Sequence, residues 1–209
     1  MAGGATSVEL VAAVSNLGAL GSFAAALLSP EAIKLSINEI RSQTRAPFCV
    51  NLFVLDSPTV DDETLATANQ RLAPFREELG LPSIEAPKRW CQDNQAQIEA
   101  LIDAAPAAVS FAFGIPSPSH LAAFRHNGSI IIGTAPNLLE ARAWEDAGVH
   151  AICLQGYEAG GHRGTFIGDY EASQLGIEAL LKAVNDSVNT PVIAAGGIMT
   201  GTRIKQLIE

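Results

Sequence analysis

From Thr6 onward, short apolar runs alternate with segments of helical period, the pattern of parallel strands joined by crossover helices. Six runs read as strands, over 19–24, 47–53, 108–113, 129–133, 151–155 and 191–195. Between them a helix is expected from a Thr6 or Ser7 cap to about Asn16, with Glu9 in its first turn, and another over 30–43 behind a Ser29 cap and Pro30. Further helices are expected over 94–104, 119–125, 138–147 and 171–184, and from near Thr200 to Glu209. Such an α/β chain makes a doubly wound sheet or a closed (β/α)8 barrel of TIM type, and no G-x-G-x-x-G turn follows the first strand, so the barrel is the expected fold. A barrel takes about 250 residues. At 209 residues this one is expected to lack one or two strands.

The rhythm breaks once. Residues 57–88 are acidic, contain proline and carry one helical stretch, which reads as an insertion in a βα loop that covers part of a site. No second rhythm marks another domain, so residues 1–209 are expected to form one. Apolar residues make up 48% and charged residues 17%, which excludes a disordered or collagenous chain. The net charge of −9 repels polyanions and anionic lipid, so neither nucleic acid nor a membrane surface is an expected partner. The apolar stretch 8–28 has no Lys or Arg before it and is divided by Glu9, Asn16, Gly18 and Gly21, so it reads as helix, turn and strand rather than a leader or a span. Cys49, Cys91 and Cys153 are an odd count without metal-type spacing, which fits a reducing cytoplasm. Cys49 and Cys153 fall inside predicted strands and are expected to be core thiols of ordinary pKa.

The stretch 155–166, Q-G-Y-E-A-G-G-H-R-G-T-F, leaves the fifth of these strands at the edge where α/β barrels build their sites. Gly160, Gly161 and Gly164 permit close backbone approach and a tight turn that holds His162, a group able to move a proton or steady an anion near neutral pH. The plainer alternative is an exposed turn His followed by an Arg that only solubilises it. The string P-V-I-A-A-G-G-I runs from a strand into Gly196 and Gly197 and then a helix, so its backbone amides suit an anion, unless the pair is simply a tight turn. Asn51 and Ser110 interrupt apolar strands, as satisfied core residues or as partners for a planar heterocycle, and Gln155 at a strand mouth is better placed to face a ligand. His120, His126 and His150 read as structural or exposed, and Asp61, Asp62 and Glu63 as a solvated helix start.

Taken together and in order, M-A-G-G, A-A-V-S-N-L-G-A-L-G, P-F-C-V-N-L-F, S-F-A-F-G, Q-G-Y-E-A-G-G-H-R-G and P-V-I-A-A-G-G-I resemble the nitronate monooxygenase family, formerly 2-nitropropane dioxygenases, from Met1 to about Thr202. The resemblance implies a TIM-type barrel with FMN that oxidises alkyl nitronates such as propionate 3-nitronate with dioxygen. It implies that Asn51 and Gln155 contact the isoalloxazine ring, that Gly160 and Gly161 approach the flavin from the His loop, and that Gly196 and Gly197 hold its phosphate. His162 becomes the catalytic His over the flavin. A sister group, the FMN-dependent enoyl-acyl carrier protein reductases, has the same skeleton and a G-G-H loop but needs NAD(P)H. The strings R-L-A-P-F-R-E-E-L-G-L-P and S-F-A-F-G-I-P resemble the nitronate branch. The family's first strand, before M-A-G-G, and its eighth, with a Gly-Thr turn, are not in this sequence. Three explanations stay open: a fragment, a truncated form completed in a homo-oligomer, and a non-catalytic paralogue that holds no FMN. A phosphate-binding isomerase or aldolase would need a Lys or carboxylate at the strand mouths, and none is found there.

Overall fold

A computed structural model describes residues 3–82 and 89–208. The first two residues of the opening M-A-G-G string, the end of the insertion over 83–88, and Glu209 lie outside the described residues. Six strands form one sheet: β1 (Gly21–Ala24), β2 (Phe48–Phe53), β3 (Ala108–Ala112), β4 (Ile130–Ala135), β5 (Ala151–Gln155) and β6 (Val192–Ala195). Every neighbouring pair is parallel and the spatial order is the chain order. A doubly wound sheet reverses its order at a switch point, so an unreversed order decides for the barrel type. Ala24 of β1 and Ala195 of β6 line the same cavity, so the sheet curves enough to bring its two end strands to one concavity. Among the described residues no strand precedes β1 or follows β6, and the architecture is six staves of a TIM-type barrel.

Side chains alternate across the sheet with the two-residue period of a strand. Phe48, Val50 and Leu52 of β2, Val109 and Phe111 of β3, Ile131 of β4, and Ile152 and Leu154 of β5 point outward into the main core. Helices cover that face: α1 (Val8–Asn16), α2 (Pro30–Gln43), α4 (Asn94–Ala104), α5 (Pro118–His126), α6 (Leu138–Asp146) and α7 (Ile177–Asn185). The stripe Ile33, Ile37 and Ile40 on α2 is fully buried, and its first turn is fixed by Ser29 accepting from the Ala32 amide at 3.2 Å. The opposite set, Cys49, Ala108, Ile132, Ala151 and Cys153, fills the inside of the curve with smaller side chains. Nearer the C-terminal edge the inward positions become Asn51, Ser110, Thr134 and Gln155, so apolar filling gives way to polar groups.

The insertion contains α3 (Asp62–Glu78), capped by Asp61 as the acidic start implied, yet α3 buries none of its residues. The expected helix over 171–184 is two elements, a 3-10 turn at Glu171–Ser173 and then α7. Gln174 leaves helical geometry at ψ 43°, and a new start is made where Glu158 accepts the Ile177 amide at 2.9 Å. The first strand begins at Gly21 rather than Ala19 because Gly18, at φ +85°, and the Ala19 amide bonded to Val14 close the end of α1. The last helix, α8 (Gly201–Ile208), begins behind Thr200, whose hydroxyl accepts the Arg203 amide at 3.1 Å.

Candidate active site at the C-terminal edge of the sheet

A cavity of about 460 Å³ opens at the C-terminal edge of the strands, where barrel sites are built. Its floor is small: Ala24, Ala112 and Ala195 end three strands, and Thr134, Cys153 and Gln155 face inward beside them. Gly160, Gly161, His162 and Gly164 close one side, and Phe53 and Phe113 another. The structure therefore brings Asn51 of β2 together with Gln155, Gly160, Gly161 and His162 of the stretch that leaves β5. None of residues 54–82 or 89–93 lines the cavity, so the described insertion does not cover this site. A second depression, along α3, is lined by that helix and its cap alone and gathers no groups from other elements.

Asn51 is buried, and its Nδ2 donates to the Ser110 hydroxyl at 3.0 Å and the Ser110 carbonyl at 3.3 Å. Its Oδ1 accepts no hydrogen bond from a described residue, which leaves an acceptor at the cavity wall. Ser110 orients Asn51 and does not itself line the cavity. Gln155 lines it, yet both ends of its amide hold the loop that follows: Nε2 donates to the His162 carbonyl and Oε1 accepts the Gly164 amide, each at 2.8 Å. Arg163 turns away from solvent, and its guanidinium donates to the Gln155 carbonyl at 2.7 Å and the Gly156 carbonyl at 3.1 Å. It closes the turn rather than solubilising it.

His162 is exposed and stands edge-on to two aromatic rings, 6.4 Å from Phe53 and 6.2 Å from Phe113, which themselves pack at 4.7 Å. No described residue hydrogen-bonds either imidazole nitrogen, so both are uncommitted in a residue that lines the cavity. Phe113 sits at φ +69°, in the left-handed region that bulky residues avoid, at the point where β3 gives way to Gly114. Sequence reading missed Phe53, Phe113, Thr134 and Cys153 as lining residues. The two-residue strand period from Asn51 reaches Phe53, and the same step back from Gln155 reaches Cys153; Phe113 has no such signal, because its strain is set by the fold.

Gly196 and Gly197 do not line the cavity but follow Ala195, which does. They adopt φ +122° and +66°, and a Cβ would lie 2.8 Å from the Ala159 nitrogen at Gly196 and 2.9 Å from the Glu158 Cβ at Gly197. Only glycine fits a turn packed this closely on 156–159. The backbone there leads into the N-terminus of α8. Cys49 and Cys153, expected from the sequence to be thiols of ordinary pKa, are corrected by the structure: burial pushes both up to about 11. Among the described residues no group of His, Cys, Asp and Glu could hold a metal ion, and no helix is long and apolar enough to cross a membrane.

A family model described as nitronate monooxygenase matches residues 1–209. The "Probable nitronate monooxygenase" of Bacillus subtilis is 36% identical over 98% of this chain and 58% of its own length. The protein of that name from Staphylococcus saprophyticus is 38% identical over 95% and 56%. The chain thus spans less than two thirds of these curated relatives. Among solved structures, a nitroalkane oxidase from Streptomyces ansochromogenes superposes with a TM-score of 0.87 and 34% identity, covering 100% of this chain and 60% of the other. The FabK protein of Thermotoga maritima follows at 0.72 and 26%, covering 99% and 52%.

Proposed function

The chain belongs to the nitronate monooxygenase family, and from that premise we propose that it binds FMN at the C-terminal edge of its sheet and oxidises alkyl nitronates of the propionate 3-nitronate type with dioxygen. The observation that carries this reading is His162, held by its backbone to Gln155 while both of its ring nitrogens stay open to an apolar cavity. The cavity suits a flat heterocycle: three alanines keep its floor small, glycines close one side, and Asn51 offers an uncommitted acceptor. Gly196 and Gly197 suit a phosphate, because their turn presents backbone amides at the head of α8 and excludes side chains.

FMN, when bound, would supply the redox chemistry between nitronate and dioxygen. Asn51 and the edge of the Gln155 side chain would contact the ring, Gly160 and Gly161 would approach it from the His loop, and the amides of Gly196 and Gly197 would hold the phosphate. His162 steadies the nitronate anion through an N–H, or takes the α-proton when the substrate arrives as a neutral nitroalkane. Phe53 and Phe113 keep water from the imidazole on the side they cover. Three free thiols suit a reducing cytoplasm, the partners are the small nitronate and dioxygen, and a homo-oligomer is the form that would cover the free edges of β1 and β6.

The test is a visible absorbance spectrum of the purified protein, followed by anaerobic addition of propionate 3-nitronate and, separately, of NADH. Bound flavin bleached by nitronate alone is the expected result. Bleaching by NADH alone would move the assignment to the enoyl-acyl carrier protein reductases. Purification without flavin, and failure to take up added FMN, would leave a paralogue that keeps the loops without the chemistry.

A further inference from the structure

We propose that Glu140, on the outer helix α6 and outside the cavity, is a positioning residue that straps the His162 loop to the body of the protein. Glu140 is fully buried. Its Oε1 accepts four hydrogen bonds: from the Thr165 hydroxyl at 2.6 Å, the Phe166 amide at 2.9 Å, the Ile167 amide at 3.0 Å and Asn137 Nδ2 at 3.0 Å. Three of those donors belong to the loop, one to three residues beyond Gly164, which Gln155 holds from the cavity side. His162 is thereby fixed between two anchors, the Gln155 amide within the site and the Glu140 carboxylate behind it.

Four donors on one oxygen favour a carboxylate there, the stronger acceptor, over an amide. An amide oxygen offers two neutral acceptor sites, and four donors converging on one oxygen are held by its negative charge. Asn137 reinforces the arrangement by donating to the Ile167 carbonyl at 3.1 Å as well. One turn along the same helix, Trp144 packs edge-on against Phe166 at 6.0 Å and donates to the carbonyl of Thr134, a residue of the cavity wall. In contrast, Oε2 of Glu140 is buried without a partner among the described residues, a cost with no return inside α6 itself. The carboxylate sits where the loop needs it rather than where a helix alone would place it.

The part of this inference that concerns turnover rests on the function proposed above; the part that concerns the loop does not. Glu140→Gln and Thr165→Val are compared with wild type in the flavin-loaded protein by hydrogen exchange of the 156–170 peptide, FMN affinity and steady-state kinetics. Glu140→Gln is expected to speed exchange of 156–170 by at least about tenfold while peptides of β2 and α2 stay unchanged, and to lower kcat about tenfold with FMN affinity within about twofold. Thr165→Val, which removes one donor and leaves the carboxylate, is expected to give about a threefold change in exchange and in kcat, with FMN affinity again within about twofold. Exchange of 156–170 at the wild-type rate, or faster exchange spread evenly over the sheet, overturns the proposal. Should Glu140→Gln fail to fold, Thr165→Val decides by the same criteria. A wild type that oxidises no nitronate removes the functional reading, and the exchange comparison still decides the strap.

Discussion

Between β2 and α4 the chain spends residues 54–93 on an excursion whose helix, α3, buries nothing; between β5 and α7 it spends 156–176 on a loop with almost no regular structure, and that loop carries the candidate catalytic group. The helix is held by local terms, a cap at Asp61 and the hydrogen bonds of its own backbone. Leu72 and Phe75 on the helix, and Leu79 at its C-terminal cap, remain exposed. The loop has few local terms but reaches polar groups rooted in the core: Gln155 on β5 and Glu140 on α6. Regular structure and positional order are thus separate properties, and the second depends on where the far end of each hydrogen bond is anchored.

Excision against substitution should show the largest effect. His162→Ala is expected to lower nitronate turnover at least ~10²-fold, the size of a general acid-base contribution, in protein that retains its flavin. Replacing 62–78 with a short linker should change turnover by no more than about threefold, since none of those residues lines the cavity. Oxygen consumption with propionate 3-nitronate measures both. If the linker variant lost as much activity as His162→Ala, the two excursions would not differ in the way their packing indicates.

Next in size is the response of the sheet's inner face, on which the anchored loop rests, to alkali. Cys49 and Cys153 keep their protons to about pH 11 in the folded protein, whereas the unfolded chain releases them near the ordinary thiol value of 9.0. The unfolded state therefore binds fewer protons across that interval, and stability falls as pH rises from about 9 to about 11, with the full contribution present below 9. The loss is roughly 2–3 kcal/mol for each thiol. Urea midpoints at several pH values should show this decline, and a Cys49→Ala, Cys153→Ala double variant should lack that part of it; an identical decline in both proteins would place its origin elsewhere.

Gly133→Ala probes the wall that supports the loop. A Cβ on Gly133 would lie 2.1 Å from the Trp144 ring, so Trp144 must move, and with it the ring that packs on Phe166. Overpacking of this kind costs about 1–3 kcal/mol. For a chain of this size that lowers Tm by roughly 2–4 °C per kcal/mol, whereas Leu72→Ala on α3 should stay within about 0.5 kcal/mol of wild type. A thermal melt of both variants is sufficient.

Much of this is legible in the sequence. The strand and helix alternation, the Ser29–Pro30 start of α2 and the bounds of α4 and β5 follow from local chemistry, and the structure reproduces them. Asn51, Gln155, Gly160, Gly161 and His162 meet at one cavity because strand mouths share an edge, which topology alone dictates. What could not be read was the far end of each long-range bond. Glu140 looks like the N3 residue of an ordinary capping box after Asn137, and its Oδ1 does accept the Glu140 amide at 2.9 Å. That its carboxylate collects donors 25 to 27 residues away has no sequence signature. The break before α7 was hidden for the same reason, since Glu158 supplies its first acceptor from 19 residues upstream.

The smallest expected effect isolates the comparison most cleanly, because it uses the same chemistry in two settings. Ser29 and Asp61 each accept an amide three residues on, at 3.2 Å and 2.6 Å, and each opens a helix. Removing such a cap costs about 1 kcal/mol of helix stability. In α2 that helix carries the buried stripe of Ile33, Ile37 and Ile40, so Ser29→Ala should appear in the global urea midpoint. In α3 nothing is buried, so Asp61→Ala should fray the helix and leave the global transition where it was. The Asp61 carboxyl is held below the usual range by its bonds to Thr64, so lowering the pH through that depressed value should fray α3 in the wild type as well, and the variant should not respond. Exchange of the 62–78 peptide reads the local effect and the urea curve the global one. If Asp61→Ala moved the urea midpoint as far as Ser29→Ala, α3 would have to be coupled to the core, and the contrast between an anchored loop and a free-standing helix would fail.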